Sequence, residues 1–317
     1  MIEPSAALRA GLLGLSRNDT VRSLVQNAPI SRDVVARYVS GEATADAVRT
    51  STELNGKGLL GTLDFLGEDC TDLEQARSTR DNYLELLGAL SEHGLTEGGV
   101  IEVSVKLSAV GQYLGGDGNK IALEHAREIC EAAARAGTTV TIDMEDHTTT
   151  DDTLSGVREL REDFPWVGAV LQAYLFRTEA DCKDLATAGS RIRLCKGAYK
   201  EPGSVAYQDK SEVDLSYVRC LKALMEGDGY PMVASHDPRL VQIAGSLADR
   251  YLRASDSFEY QMLYGIRPAE HERLSAAGHK MRIYVPYGNE WYGYLVRRMA
   301  ERPANALFFA RSLVSRG

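Results

Sequence analysis

Residues 101–145 read IEVSVKLSAVGQYLGGDGNKIALEHAREICEAAARAGTTVTIDME, and the hydrophobic period changes twice within them. Ile101, Val103 and Val105 alternate with Glu102, Ser104 and Lys106, the two-residue repeat of a strand. From 120 to 136 the apolar residues recur at the 3.6-residue period of an amphipathic helix. At 139–145 the alternation returns, with Val140, Ile142 and Met144 on one side and Thr141, Asp143 and Glu145 on the other. Strand, helix and strand at this spacing form a parallel βαβ unit. Six more β-rich runs follow the same pattern: GTLDFLGE (61–68), GAVLQAY (168–174), RIRLCK (191–196), MVASH (232–236), SFEYQML (257–263) and MRIYVP (281–286). Thr71-x-x-Glu74 reads as a capping box opening a helix that ends near His93-Gly94, and 212–226 is again amphipathic. Eight strands, each followed by a helix over about 250 residues, predict an α/β fold of the (βα)8 TIM type. A doubly wound sheet is the runner-up, but seldom strings eight parallel strands in succession.

The first 58 residues look helical, with Asn18-Asp19 and Ser31 as helix starts and Gly41 and Gly56 as stops. No linker follows, so the expected division is an N-terminal helical arm (1–58) and a distorted catalytic barrel (59–317) with a final helix over its C-terminal face. The chain has 317 residues, 44% apolar and 26% charged, with a formal net charge of −9. That excess of acid argues against nucleic acid as the main partner, because phosphate binding needs a basic field. The sequence contains no stretch long and apolar enough to span a bilayer and no signal-peptide pattern at its start, which reads as cytoplasmic. Five scattered cysteines without a CxxC pair read as reduced thiols.

Alternation also says what points into the barrel. Glu102, Ser104, Lys106, Thr141, Asp143, Glu145, Arg193, Glu259, Gln261, Arg282 and Tyr284 are expected inward, with His236 at the end of strand 6 and Gln172 near the end of strand 4. Barrel lumens are ordinarily filled by Val, Ile and Leu, and unpaired buried charge costs several kcal/mol. These groups must pair with one another or with a bound ligand. On the last helix Tyr294, Arg297, Arg298 and Glu301 share a face, and an arginine pair there suits a carboxylate or phosphate.

Three other patterns carry less. Gly56-x-Gly58-x-x-Gly61 matches the dinucleotide fingerprint as a string, but a strand follows it where a helix is required. The acidic run Asp143–His147 lacks the spaced histidines of a metal site, so no metal is expected. Lys106 and Lys196, both at strand ends, keep a Schiff-base lyase open as the alternative.

At these residues the sequence resembles the flavin-dependent proline dehydrogenases, specifically the stand-alone, monofunctional kind. VSVKLSA (103–109), IDMEDH (142–147), LQAYL (171–175), RLCKGAY (193–199), ASHD (234–237), FEYQMLYG (258–265) and YVPYGNEWYGYLVRRMAERPAN (284–305) carry the likeness in order. The resemblance implies non-covalently bound FAD at the barrel mouth and oxidation of L-proline to 1-pyrroline-5-carboxylate by hydride transfer from C5 to flavin N5. Electrons would pass to a quinone, with peripheral contact at the inner face of the membrane and functional coupling to a separate 1-pyrroline-5-carboxylate dehydrogenase. It further implies that Lys106, Arg297 and Arg298 hold the substrate carboxylate, with Tyr284 and Tyr294 lining the pocket. Asp143 and Arg193 would be catalytic, Arg193 lying near N5. Met144, Gln172, Arg193, Lys196, Gly197, Ala198, Tyr199, Ser235, His236 and Glu259 would contact or support the cofactor.

Overall fold

The computed structural model describes residues 35–67, 70 and 72–295. Its elements run α1 (Thr44–Gly56), β1 (Leu60–Phe65), α2 (Leu73–Glu92), β2 (Ile101–Val105), α3 (Gly118–Ala136), β3 (Val140–Ile142), α4 (Thr150–Asp163) and β4 (Gly168–Gln172). They continue with α5 (Thr178–Leu185), β5 (Arg191–Cys195), α6 (Lys210–Glu226), β6 (Tyr230–Ala234), α7 (Pro238–Arg250), β7 (Glu259–Leu263), α8 (Pro268–Ala276) and β8 (Met281–Tyr287). The eight strands pair in chain order, all parallel, and β8 closes on β1. This is the (βα)8 barrel that the alternating periods predict.

The apolar residues of each strand face the helices. Leu63, Val103, Ile142, Leu194 and Ile283 pack in one continuous core with Leu86, Leu87 and Leu90 of α2 and Ile129 of α3. Burying each such side chain contributes about 1.5–3 kcal/mol. Strand 6 starts two residues earlier than the sequence suggests, because the chain admits Pro231 opposite Ile192, a residue that ordinarily argues against an interior strand. The cap of α2 is also displaced from its expected place. Asp72 accepts from the backbone N–H of Glu74 (2.6 Å) and Gln75 (3.4 Å), whereas Thr71 lies outside the described residues.

Asn18, Asp19 and Ser31 of the expected arm likewise lie outside the described residues. The arm's last helix, α1, packs on β1, β8 and α2, within the helical shell between the last strand and the first. Gly56 ends that helix and Gly61 lies inside β1, so the glycine triplet is a helix stop and a turn. Ahead of α1 the chain runs beside the C-terminal end of β8: Ser40 N–H donates to Pro286 O (3.0 Å) and Gly288 N–H to Gly41 O (2.9 Å). A Cβ at Gly265 would lie 1.8 Å from the Arg37 carbonyl oxygen, so this passage requires glycine there. Beyond β8, residues 291–295 are helical, and Trp291, Tyr292, Tyr294 and Leu295 bury against Tyr38, Val39 and Leu66.

Tyr83 of α2 ties the shell to the sheet. Its hydroxyl donates to Ser104 O (2.7 Å) and accepts from Phe65 N–H (3.1 Å), bridging β1 and β2. Tyr83→Phe leaves both backbone groups without that partner and is expected to cost about 1–3 kcal/mol. Urea denaturation of the variant checks this; an unchanged midpoint would mean that the bridge carries no stability.

Candidate active site

The lumen is polar from end to end, in tiers. At the N-terminal end of the strands, Arg191 Nη2 lies 2.6 Å from Glu102 Oε2, and Arg282 Nε lies 2.7 Å from Glu259 Oε1. Tyr230 and Gln261 donate to Glu259 as well (3.1 and 2.6 Å), and Arg282 also donates to the carbonyls of Gly61 and Gly99. Burial alone would raise the Glu102 carboxyl, but Arg191, Arg282 and Arg193 outweigh it and hold the group well below the usual carboxylate range. Burial is likewise overcome at Glu259, chiefly by Arg282. Most of the inward charge is thus answered by other inward charge, and this tier calls for no ligand.

Arg193 occupies the middle tier, with only 3% of its surface exposed. Its Nε donates to Gln261 Oε1 (2.6 Å), and Nη1 donates to Ser104 Oγ (2.9 Å) and Asp143 Oδ1 (2.6 Å). Nη2 donates to Thr62 Oγ1 at 3.4 Å. Asp143, one residue past β3, also accepts from the Tyr284 hydroxyl at 2.8 Å, and the guanidinium lies 5.3 Å from the Tyr284 ring centroid. Beside them, Lys106 Nζ is 2.6 Å from both carboxylate oxygens of Asp64. Lys106, Asp143, Arg193 and Tyr284 therefore converge, as expected, on the C-terminal side of the barrel, where TIM-barrel active sites form.

A second group lies at the ends of β5 and β6. Lys196 pairs with Asp214 of α6 and with Asp237 (3.3 Å), and Arg239 bridges the same two acids. Ser235 Oγ accepts the Asp237 N–H at 3.1 Å. His236 is expected on strand 6 but lies two residues past its end. There its Nε2 accepts the Leu263 N–H (2.9 Å), while its carbonyl accepts from Arg267 Nη1 (2.7 Å). Gly197 has φ +117°, and a Cβ there would enter the Tyr174 ring at 2.4 Å, so the backbone of the Lys196–Ala198 turn rests directly on that ring. Ala198 and Tyr199 follow on the exposed side of the loop. Gln172 donates to Glu145 O (2.7 Å), fixing the turn that carries the buried Met144.

Other expected residues stand apart. Glu259 opens β7 at the far end of the barrel from the mouth and belongs to the lower tier. Tyr294 is buried in the apolar cluster with Trp291 and Leu66. Arg297, Arg298 and Glu301 lie outside the described residues. Asp64 is the residue missed: Thr62 and Asp64 alternate with Leu63 and Phe65, a period-2 signal that the GTLDFLGE run already carried. Asp214 and Asp237, which hold Lys196, were missed because they sit on or before helices, where acidic residues read as solvated.

Asp143 is engaged by Arg193 and Tyr284, and His147 by both oxygens of Glu201, one of which also accepts from Tyr174. Among the described residues no group of three or more His, Cys, Asp or Glu could hold a metal ion. A Schiff base needs a neutral amine. Burial would lower the Lys106 pKa, but Asp64 and then Asp143 more than reverse that and hold it above the ordinary lysine value. Lys196 is shared by two carboxylates. Neither lysine is set up as a nucleophile.

The comparisons with known proteins agree with one another. The family model described as proline dehydrogenase matches residues 47–311. Proline dehydrogenase 1 of Bacillus subtilis subsp. natto is 37% identical over 309 residues, covering 98% of this chain and all of that protein. Proline dehydrogenase of Deinococcus radiodurans is 37% identical over 284 residues, covering 89% of this chain and 90% of its own. Among solved structures, proline utilization A (PutA) from Bdellovibrio bacteriovorus inactivated by N-propargylglycine superposes with a TM-score of 0.80 at 25% identity. That match covers 90% of this chain but only 34% of the larger protein.

The lower tier makes two testable statements. Arg282→Met strands the Glu259 carboxylate, and losing one partner of a buried pair is expected to cost about 3–5 kcal/mol in urea denaturation. Because Glu102 and Glu259 are held below their unfolded values, their stabilisation is full above about pH 4.3 and is lost as pH falls toward the folded values. The wild-type urea midpoint should therefore drop below that pH; a midpoint that stays level to about pH 3 contradicts it.

Proposed function

Because the chain belongs to the proline dehydrogenase family, we propose that FAD is bound non-covalently at its barrel mouth and that L-proline is oxidised there to 1-pyrroline-5-carboxylate, with a quinone as electron acceptor. Proline dehydrogenase activity follows from the family and the full-length relatives. The observation that supports the finer reading is the convergence of Lys106, Asp143, Arg193 and Tyr284 beside the β5 and β6 ends.

The donor set fits the cofactor. Gln172, Lys196, Ser235 and His236 offer amide, ammonium, hydroxyl and imidazole groups, and the Gly197–Ala198–Tyr199 turn and Met144 offer backbone. Gly197 keeps its turn flat against Tyr174, where a side chain would collide with the ring. When bound, the flavin supplies the acceptor for a hydride leaving C5 of proline, and the protein supplies position and field. Arg193 stabilises negative charge beside it. Asp143 holds both Arg193 and Tyr284 in place. Glu259 acts at a remove, through Gln261.

Lys106, with Arg297 and Arg298 by motif position, takes the substrate carboxylate, and Tyr284 borders the ring; Tyr294, assigned to the pocket by motif position, is buried with Trp291 and Leu66. Three cations about one small ligand also lower the pKa of its nitrogen, which must lose a proton before hydride can leave. No helix among the described residues is long and apolar enough to cross a membrane. The reading is of a cytoplasmic enzyme that meets its quinone peripherally at the inner face of the membrane. Its product is the substrate of a separate 1-pyrroline-5-carboxylate dehydrogenase.

The test is an anaerobic absorbance spectrum of the purified protein before and after adding L-proline. A band near roughly 450 nm that bleaches is expected; a colourless protein that FAD cannot reconstitute would sink the cofactor assignment. Arg298→Met should raise KM for proline by at least about tenfold with flavin content retained, the loss of a charge-assisted contact. An unchanged KM would remove the arginine pair from the carboxylate.

A further inference from the structure

We propose that Asp64 is a positioning residue for the reaction: its carboxylate clamps the Lys106 ammonium from beneath, aims it at the mouth and keeps it a fixed cation for the substrate carboxylate. This rests on the assignment of Lys106 to that carboxylate.

Three observations carry it. Both Asp64 oxygens lie 2.6 Å from Lys106 Nζ, a contact made across strands, from β1 to the residue just past β2. The acid side chain is 2% exposed and the lysine 21%, so the acid lies below and the ammonium faces outward. An ammonium has three donors; a carboxylate engaging two leaves the third for the mouth.

The charge balance explains why the acid is needed. Facing Lys106 are Asp64 from β1, Asp143 and Glu145 past β3, and, through Asp64, the hydroxyl of Tyr284 from β8. Tyr83 of α2 and Tyr287 of β8 also lie within electrostatic reach of Asp64. Of the acids, Asp143 is already engaged by Arg193, and Glu145 accepts from the Ser108 backbone and hydroxyl. Burial is the largest influence on Lys106 and favours the neutral amine; Asp64 is the first influence opposing it. With Asp64 gone, the largest influence opposing desolvation is lost and only Asp143 and Glu145 remain against it, so the lysine holds its proton less tightly and the carboxylate loses its cation as pH rises.

The pairing is read directly by the reactivity of Lys106 toward acetic anhydride as a function of pH, followed by mass spectrometry on the folded holoenzyme, with exposed Lys57 as internal reference. In the wild type Lys106 should become reactive only at or above the pH at which Lys57 does. In Asp64→Asn that onset should move down by at least about one unit, and Asp64→Glu should restore much of it. In Asp64→Asn, KM for proline should then rise about tenfold more between pH 7 and 9 than it does in the wild type.

An unshifted reactivity profile in Asp64→Asn overturns the proposal. If that variant does not fold, a wild-type Lys106 that reacts well below Lys57 overturns it equally. Lys106→Met separates the two readings. If it leaves KM for proline unchanged, the carboxylate assignment falls, and the proposal with it. If it raises KM while Asp64→Asn leaves both KM and reactivity as in the wild type, the assignment stands and the role of Asp64 falls.

Discussion

Closing eight strands into a barrel makes an interior from which water is excluded, and this chain places the Arg193 guanidinium in it. A buried ion without partners costs several kcal/mol even after relaxation, so the surrounding strands must deliver acceptors to one point. Thr62 comes from β1, Ser104 from β2, Asp143 from just past β3 and Gln261 from β7. Each arrives only if its strand keeps the observed register, since a slip of one residue would turn it toward the helices. Strand pairing and charge pairing are therefore one constraint, satisfied together or not at all.

The same constraint grades the lumen from sealed to open. At the bottom, Glu102, Arg191, Glu259 and Arg282 neutralise one another. Above them, Arg193 and Lys106 each have a close carboxylate partner, Asp143 and Asp64. The mouth is thus not a bare positive well that would attract any anion. Under the proposed function, a ligand offers its carboxylate in the direction the lysine still leaves open, and selectivity arises from geometry more than from net charge.

How much of this the sequence disclosed depends on which dimension is asked about. Alternation gave the direction of each side chain: Glu102, Arg193, Gln261 and Tyr284 all point inward as read. It did not give depth. Glu259 and Tyr284 carry the same period-2 signal, yet one seals the floor and the other meets Asp143 near the mouth, because depth depends on how far each strand is staggered against its neighbours. Asp64 was in plain view within its strand, but its importance comes from Lys106, 42 residues away. Strand ends were legible to within a few residues, and the errors have local causes: Pro231 masked the start of β6, which in turn put His236 on the strand instead of beyond it. The arginine pair is still a reading of sequence alone.

Arg193 also joins two halves of the mouth that otherwise have separate supports. On one side Lys106, Asp64, Asp143 and Tyr284 hang from β1, β2, β3 and β8. On the other Lys196, Ser235 and His236 hang from β5 and β6 and are braced by Asp214, Asp237 and the Leu263 N–H of β7. Arg193 leaves β5, crosses the lumen to Ser104 and Asp143, and takes Gln261 of β7 on the way. A change in charge beside Lys106 alters the field at Asp143 and hence at the guanidinium. Since the guanidinium is held from both sides by bonds of 2.6 Å, it responds through its electrostatics with little room to move. That is the property the role proposed for Arg193 requires, stabilising charge without reorganising when the charge arrives.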